Sequence, residues 1–205
     1  MKPRGVIVIA FAAASVASAL SLPAPAQTPP TPLRGKIATV DGHTVAVTTR
    51  DGNKVSVKLA DPLSVSTVKP VDIATVKSGD YVGIAAEPEG KDTSRAIEVL
   101  VFPEAMRGAG EGHYGWNLTP SSTMTNANVS AVVQQRTGRD LDLSYKGQTT
   151  RITVPPGTPV VTLAPAQATD LKPGAPVFLM ATKQPDGTFS AARITVGTAG
   201  VAPPM

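Results

Sequence analysis

The chain contains no cysteine. That absence excludes a disulfide framework, a thiolate metal site, an iron–sulfur cluster, a cysteine nucleophile and a cysteine-borne lipid anchor. Histidine is almost as scarce. With only His43 and His113, a zinc site built from several imidazoles is excluded. Aromatic residues are 4% of the chain and charged residues 17%, below the usual quarter. No Gly-x-Ser-x-Gly elbow occurs, and no phosphate-cradling glycine loop ending in Lys-Ser/Thr. What is plentiful is glycine and proline, 18 and 20 in 205 residues. That composition predicts short strands and many turns rather than helices.

The first residues read as an address. Lys2 and Arg4 form a basic start, and Val6 to Leu20 is an apolar run broken only by Ser15 and Ser18. The run is short for a spanning helix, which needs ~20 residues. Two small-residue sites follow, Ala17-Ser18-Ala19 and Ala24-Pro25-Ala26. We read residues 1–26 as a signal peptide cleaved after Ala26, on the general secretion route because no twin arginine is present. The expected location is periplasmic or secreted, with no transmembrane segment in the mature chain. Loss of Lys2 and Arg4 lowers the formal net charge from +4 to +2, which is no nucleic-acid signature.

The mature part repeats itself. The segments 33–103 and 127–197 open alike, with Gly35-Lys-Ile37-Ala-Thr-Val40 in one and Val129-Ser-Ala-Val132 in the other. A turn and a strand follow in each: Asp41-Gly42 then Thr44 to Val47, and Thr137-Gly138 then Leu141 to Leu143. The strongest match is Val76-Lys-Ser-Gly79-Asp80-Tyr81-Val82 with Leu171-Lys-Pro-Gly174-Ala175-Pro176-Val177. The closing strands Arg95-Ala-Ile97-Glu-Val99 and Ala192-Arg-Ile194-Thr-Val196 also correspond. Each copy alternates with period two and is punctuated by turn pairs such as Asp-Gly, as a set of five or six short strands would. An open sheet of that size leaves exposed edges, so closure is favoured. The expectation is an all-β chain of two tandem small antiparallel β-barrels, closed or partly open and OB-like, one per copy. A Pro/Thr-rich lead (27–32) precedes them, a linker (104–126) joins them and a tail (198–205) follows.

The string Gly35-x-Ile37-x-x-Val40-Asp41-Gly42-x-Thr44-Val45-x-Val47, with Val76-Lys-Ser-Gly-Asp80-x-Val82 and Arg95-Ala-Ile97, resembles a widespread bacterial family of unknown function. The family consists of small exported β-barrel domains, often in tandem. The whole chain is similar to short exported proteins of soil α-proteobacteria, some of which carry a metal-transport label. The resemblance implies the fold and export. It covers the first copy well and the second more loosely, because the second lacks Asp-Gly at its first hairpin and has Ala175 opposite Asp80.

The linker differs in kind. It is polar, glycine-rich and without periodicity, yet it holds His113, Tyr114 and Trp116, the sole tryptophan. A plain spacer carries few aromatics. Three readings stand side by side. Tyr114 and Trp116 pin the linker between the barrels with help from Met106 and Met124. Alternatively, Arg107, His113, Tyr114 and Trp116 form a surface for a ligand or partner, with aromatic anchors and an anion contact. Or Glu104, Glu111 and His113 take a divalent first-row metal. His43 reads as a solvated turn residue. Strand aromatics are sparse, and with export this argues against nucleic acid. The functional expectation is an exported, non-enzymatic binding or envelope-associated protein without a cofactor. Its partner would be an envelope protein or small ligand. The alternative is a periplasmic metal-handling protein using the linker groups.

Overall fold

A computed structural model describes residues 29–90, 93–197 and 202–203. The signal peptide expected over 1–26 lies outside the described residues, as does most of the 198–205 tail. The chain is all-β. Its strands are β1 (Thr31–Asp41), β2 (Thr44–Thr49), β3 (Lys54–Pro70), β4 (Tyr81–Pro88), β5 (Ser94–Val101) and β6 (Gly112–Gly115). They continue with β7 (Thr123–Gln134), β8 (Arg139–Tyr145), β9 (Gln148–Val154), β10 (Val160–Pro165), β11 (Pro176–Lys183) and β12 (Phe189–Val196). Short 3₁₀ turns lie at Ile73–Thr75, Glu104–Met106 and Ala168–Asp170. No helix among the described residues is long and apolar enough to cross a membrane. The Asp-Gly turns predicted from sequence hold their glycines at positive φ, 51° at Gly42, 81° at Gly52 and 84° at Gly187.

Five strands close a barrel in the order β1-β2-β3-β12-β11, with β11 returning to β1. Every contact in this ring is antiparallel except β3–β12, which is parallel. Strands β4, β5, β9, β8 and β7 also pair in a circuit, joined between β5 and β9 by the short parallel pairs Ser94↔Ile152 and Arg95↔Thr153. The expectation of one barrel per sequence copy therefore needs correction. Each ring takes three strands from one copy and two from the other. The cores obey the same division. Ile37, Val47 and Val57 pack with Leu171, Leu179 and Ile194. Val82, Ile84 and Val99 pack with Val129, Leu141 and Ile152.

The exchange has a visible cause. β3 continues past the first ring, and its residues 66–70 pair with β10 in antiparallel register from Ser66↔Pro165 to Pro70↔Val161. β10 in turn runs parallel to β5. A third small core of Val68, Leu100 and Val161, flanked by Phe102 and Leu163, sits at this junction. The chain is carried across there, so β4 and β5 begin on the far ring. Alternating hydrophobicity is the same in both copies and cannot specify which copy's strands close which ring.

The two rings use matching contacts. Gly174 N donates to Ile37 O at 2.7 Å and Ile37 N to Ala175 O at 2.9 Å. In the other ring Gly79 N donates to Val129 O and Val129 N to Asp80 O, both at 2.8 Å. Gly79 (φ 92°) and Gly174 (φ 85°) end the turns before β4 and β11 in the left-handed region, where glycine alone is unstrained. The register of the first strand shifts beside each contact, between Ile37 and Thr39 and between Val129 and Ala131.

Candidate functional site

The linker is ordered by the second ring. Its residues 112–115 form β6, which lies antiparallel on β7 with Gly112↔Asn126 and Gly115↔Thr123. The sequence reading missed this strand because four residues with two glycines carry no alternation. Ahead of it, the Arg107 guanidinium is fully engaged. Nε donates to Glu104 Oε1 at 2.6 Å, Nη1 to Asn128 Oδ1 at 2.6 Å, and Nη2 to Gly79 O at 2.9 Å. The hydrogen bond to Arg107 holds the Glu104 carboxyl below its ordinary range, and the same bond raises Arg107. Glu111 Oε1 accepts from Lys146 N at 3.0 Å. Asn126 Nδ2 donates to the carbonyls of Ala109 and Gly110, each at 3.2 Å, and to Tyr114 Oη at 3.1 Å. Tyr81 Oη donates to Ala109 O at 3.1 Å, and burial pushes this phenol up to about 12, with Glu111 adding to the effect.

His113 Nδ1 is 2.8 Å from Thr125 Oγ1, and its ring stacks on Tyr145 at 6.3 Å. The three groups expected to share a metal thus have separate partners: Arg107 for Glu104, the Lys146 amide for Glu111, Thr125 for His113. Among the described residues no group of three His, Cys, Asp or Glu side chains is placed to hold a metal ion.

Trp116 faces the other way. Its ring meets Tyr114 edge-on at 6.1 Å and Phe178 of β11 at 6.3 Å. The Arg34 guanidinium of β1 lies 5.0 Å from the Trp116 centroid and 5.3 Å from that of Phe178. Arg34 Nη1 also donates to Asn117 Oδ1. The linker backbone is therefore fastened to the second ring through β6, while its tryptophan is fastened to the first. Arg107 and His113 make their contacts on β7, β8 and the turn before β4, and Trp116 on β1 and β11. The four residues expected to share one surface are split between the rings.

A cleft that the sequence did not reveal opens on the first ring. It has a volume of about 580 Å³ and is walled by Arg34 to Ile37, Thr48 to Arg50, Gly174, Pro176, Val177 and the tail residues Ala202 and Pro203. Among the described residues its charged groups are Arg34, Lys36 and Arg50, and no carboxylate lines it. Burial lowers the Arg34 guanidinium to about 10, the nearby Arg50 charge adds to this, and Glu98 opposes it. The Lys36 and Arg50 side chains are exposed, with no ion-pair partner among the described residues. Thr49 Oγ1 is buried there without a hydrogen-bond partner among the described residues. Sequence offered one faint signal, since Arg34 and Lys36 are two apart and share a strand face. Arg50, Gly174 and Pro176 join them only through pairing.

No family model matches the chain, and no curated protein or solved structure matches it either.

Proposed function

We propose that this protein is an exported, non-enzymatic binding module of the cell envelope, built from a duplicated half. The cationic cleft of the first ring is the observation that carries the binding reading. A concave site of about 580 Å³ with three cations, a buried hydroxyl and apolar walls has the size and mixed lining of a recognition site. The linker groups that could do acid–base chemistry, Glu104, Glu111 and His113, are each tied to a structural partner, which favours binding over turnover. Duplication is supported by the matched contacts around Gly79 and Gly174 and by the two five-strand circuits. Export rests on the basic, apolar and small-residue order of residues 1–26.

Native mass spectrometry of the protein purified gently from the periplasm tests this reading. The expected chain begins at Gln27 and retains an added mass or a protein partner. A cytosolic chain that keeps residues 1–26 overturns export. A periplasmic chain that carries nothing, and captures nothing from an envelope extract, overturns the binding role.

A further inference from the structure

The two rings carry corresponding surfaces, and in the second ring that surface is covered by the linker. On β1, Lys36 pairs with Thr48 and Pro176. On β7, Asn128 pairs with Ser144 and Tyr81. Counting outward from these pairs, Arg34, Lys36, Thr49, Arg50, Gly174 and Pro176 of the first ring stand where Asn126, Asn128, Tyr145, Lys146, Gly79 and Tyr81 stand in the second. The second set is the surface under the linker. Arg107 reaches Gly79 and Asn128, Asn126 and Tyr81 take the Ala109 carbonyl, Glu111 receives the Lys146 amide, and His113 stacks on Tyr145. The first set lines the cleft, which the tail residues Ala202 and buried Pro203 wall without filling it.

We propose that the cleft of the first ring is a docking groove for a turn-rich acidic peptide segment of an envelope partner, held as the linker is held on the second ring. This rests on the binding reading above and supplies its ligand class. The covered surface shows what such a groove accepts: a glycine-rich chain whose carbonyls and carboxylate meet strand side chains and a turn amide. The first ring's groove gains charge at two points, with Arg34 and Lys36 in place of the neutral Asn126 and Asn128, and keeps a cation at the third. Lys36 replaces Asn128 at the point where the linker places Arg107. Arg50 replaces Lys146 at the point where it places Glu111. A segment with acidic residues at both points is complementary, whereas the chain's own linker would set Arg107 against Lys36. The linker, which runs from β5 to β7 and pairs with β7 through β6, reaches the first ring only at Trp116 and Asn117.

A charge swap tests the groove. The probes are two fluorescein-labelled, C-amidated peptides of residues 104–115, one unaltered and one carrying Arg107→Glu. They are titrated by anisotropy into the full mature chain. The Arg107→Glu peptide is expected to bind saturably and about five- to tenfold more tightly than the unaltered one, the size expected for one attraction exchanged for one repulsion at a partly exposed site. In a Lys36→Glu variant the order is expected to reverse. Lys36 is exposed and takes no part in the clamp around Trp116, so circular dichroism of the variant should match the parent. Equal affinity for both peptides, or a preference that ignores Lys36→Glu, overturns the proposal. So does displacement of the peptide by inorganic phosphate at equal charge, which would make the cleft a small-anion site. Binding that emerges only after residues 198–205 are removed would name the tail as occupant and overturn it as well. An exported chain that retains a partner, yet binds neither peptide, sinks the groove and leaves the binding module standing.

Discussion

Single side chains decide how the linker is read. Trp116 was expected to pin the linker or to present an anchor to a ligand, and its surroundings favour the former. It is half-buried, and its indole N–H is sealed off without a hydrogen-bond partner among the described residues. Arg34 and Phe178 supply the contacts instead. Trp116→Ala should cost about 2 kcal/mol, roughly half the penalty of emptying a fully buried aromatic site. Urea midpoints followed by circular dichroism would measure it. Tyr81 gives a pH signature. Its side chain is 2% exposed and its folded phenol is raised to about 12 from 10.0. A group raised on folding stabilises below its unfolded value, and that contribution is lost as pH climbs through the folded one. Stability should therefore fall between pH 10 and about 12. Tyr81→Phe should flatten that fall while lowering stability at neutral pH through loss of the bond to Ala109.

At the scale of elements, turn chemistry was legible and close approach was not. The glycine turns and the ten strands outside β6 and β10 follow from alternation and from dipeptides such as Asp41-Gly42 and Lys146-Gly147. β6 and β10 were invisible, the first because glycine interrupts it and the second because it pairs far along the chain. Gly35 shows what tertiary contact adds. A Cβ there would lie 2.1 Å from Thr48 O and 2.7 Å from Val47 Cγ1, so β1 and β2 approach as only glycine allows. Gly35→Ala should prevent soluble expression or cut the melting temperature steeply, because the obstructing atom is backbone. Gly108→Ala has open space around it and only a positive φ of 82° to oppose. It should cost about 1 kcal/mol by thermal denaturation.

For the whole molecule, the strand exchange makes the halves interdependent. Residues 27–103 contain β1 to β3 of one ring and β4 and β5 of the other, so neither ring can close. That fragment alone should be unfolded or self-associated by analytical ultracentrifugation. Mixed with residues 104–205 it should recover the parent's Trp116 emission. An independently folded monomeric fragment would contradict the exchange. The intact chain should unfold in one transition, because β10 pairs with β3 of one ring and β5 of the other and the Val68–Leu100–Val161 core lies between them.

From the amino acids alone came the all-β class, the internal correspondence of Gly79 with Gly174 and the hairpin turns. All of these rest on local pattern, where each residue's neighbours in sequence are its neighbours in space. Which strands close which ring, the seat of Trp116 on Arg34 and Phe178, and the gathering of Arg34, Lys36 and Arg50 at one cleft were settled only by tertiary structure. Two similar halves expose similar edges, so local pattern is indifferent to the partner. The long antiparallel run of β3 against β10 breaks that tie, and it joins residues about 95 apart in the chain.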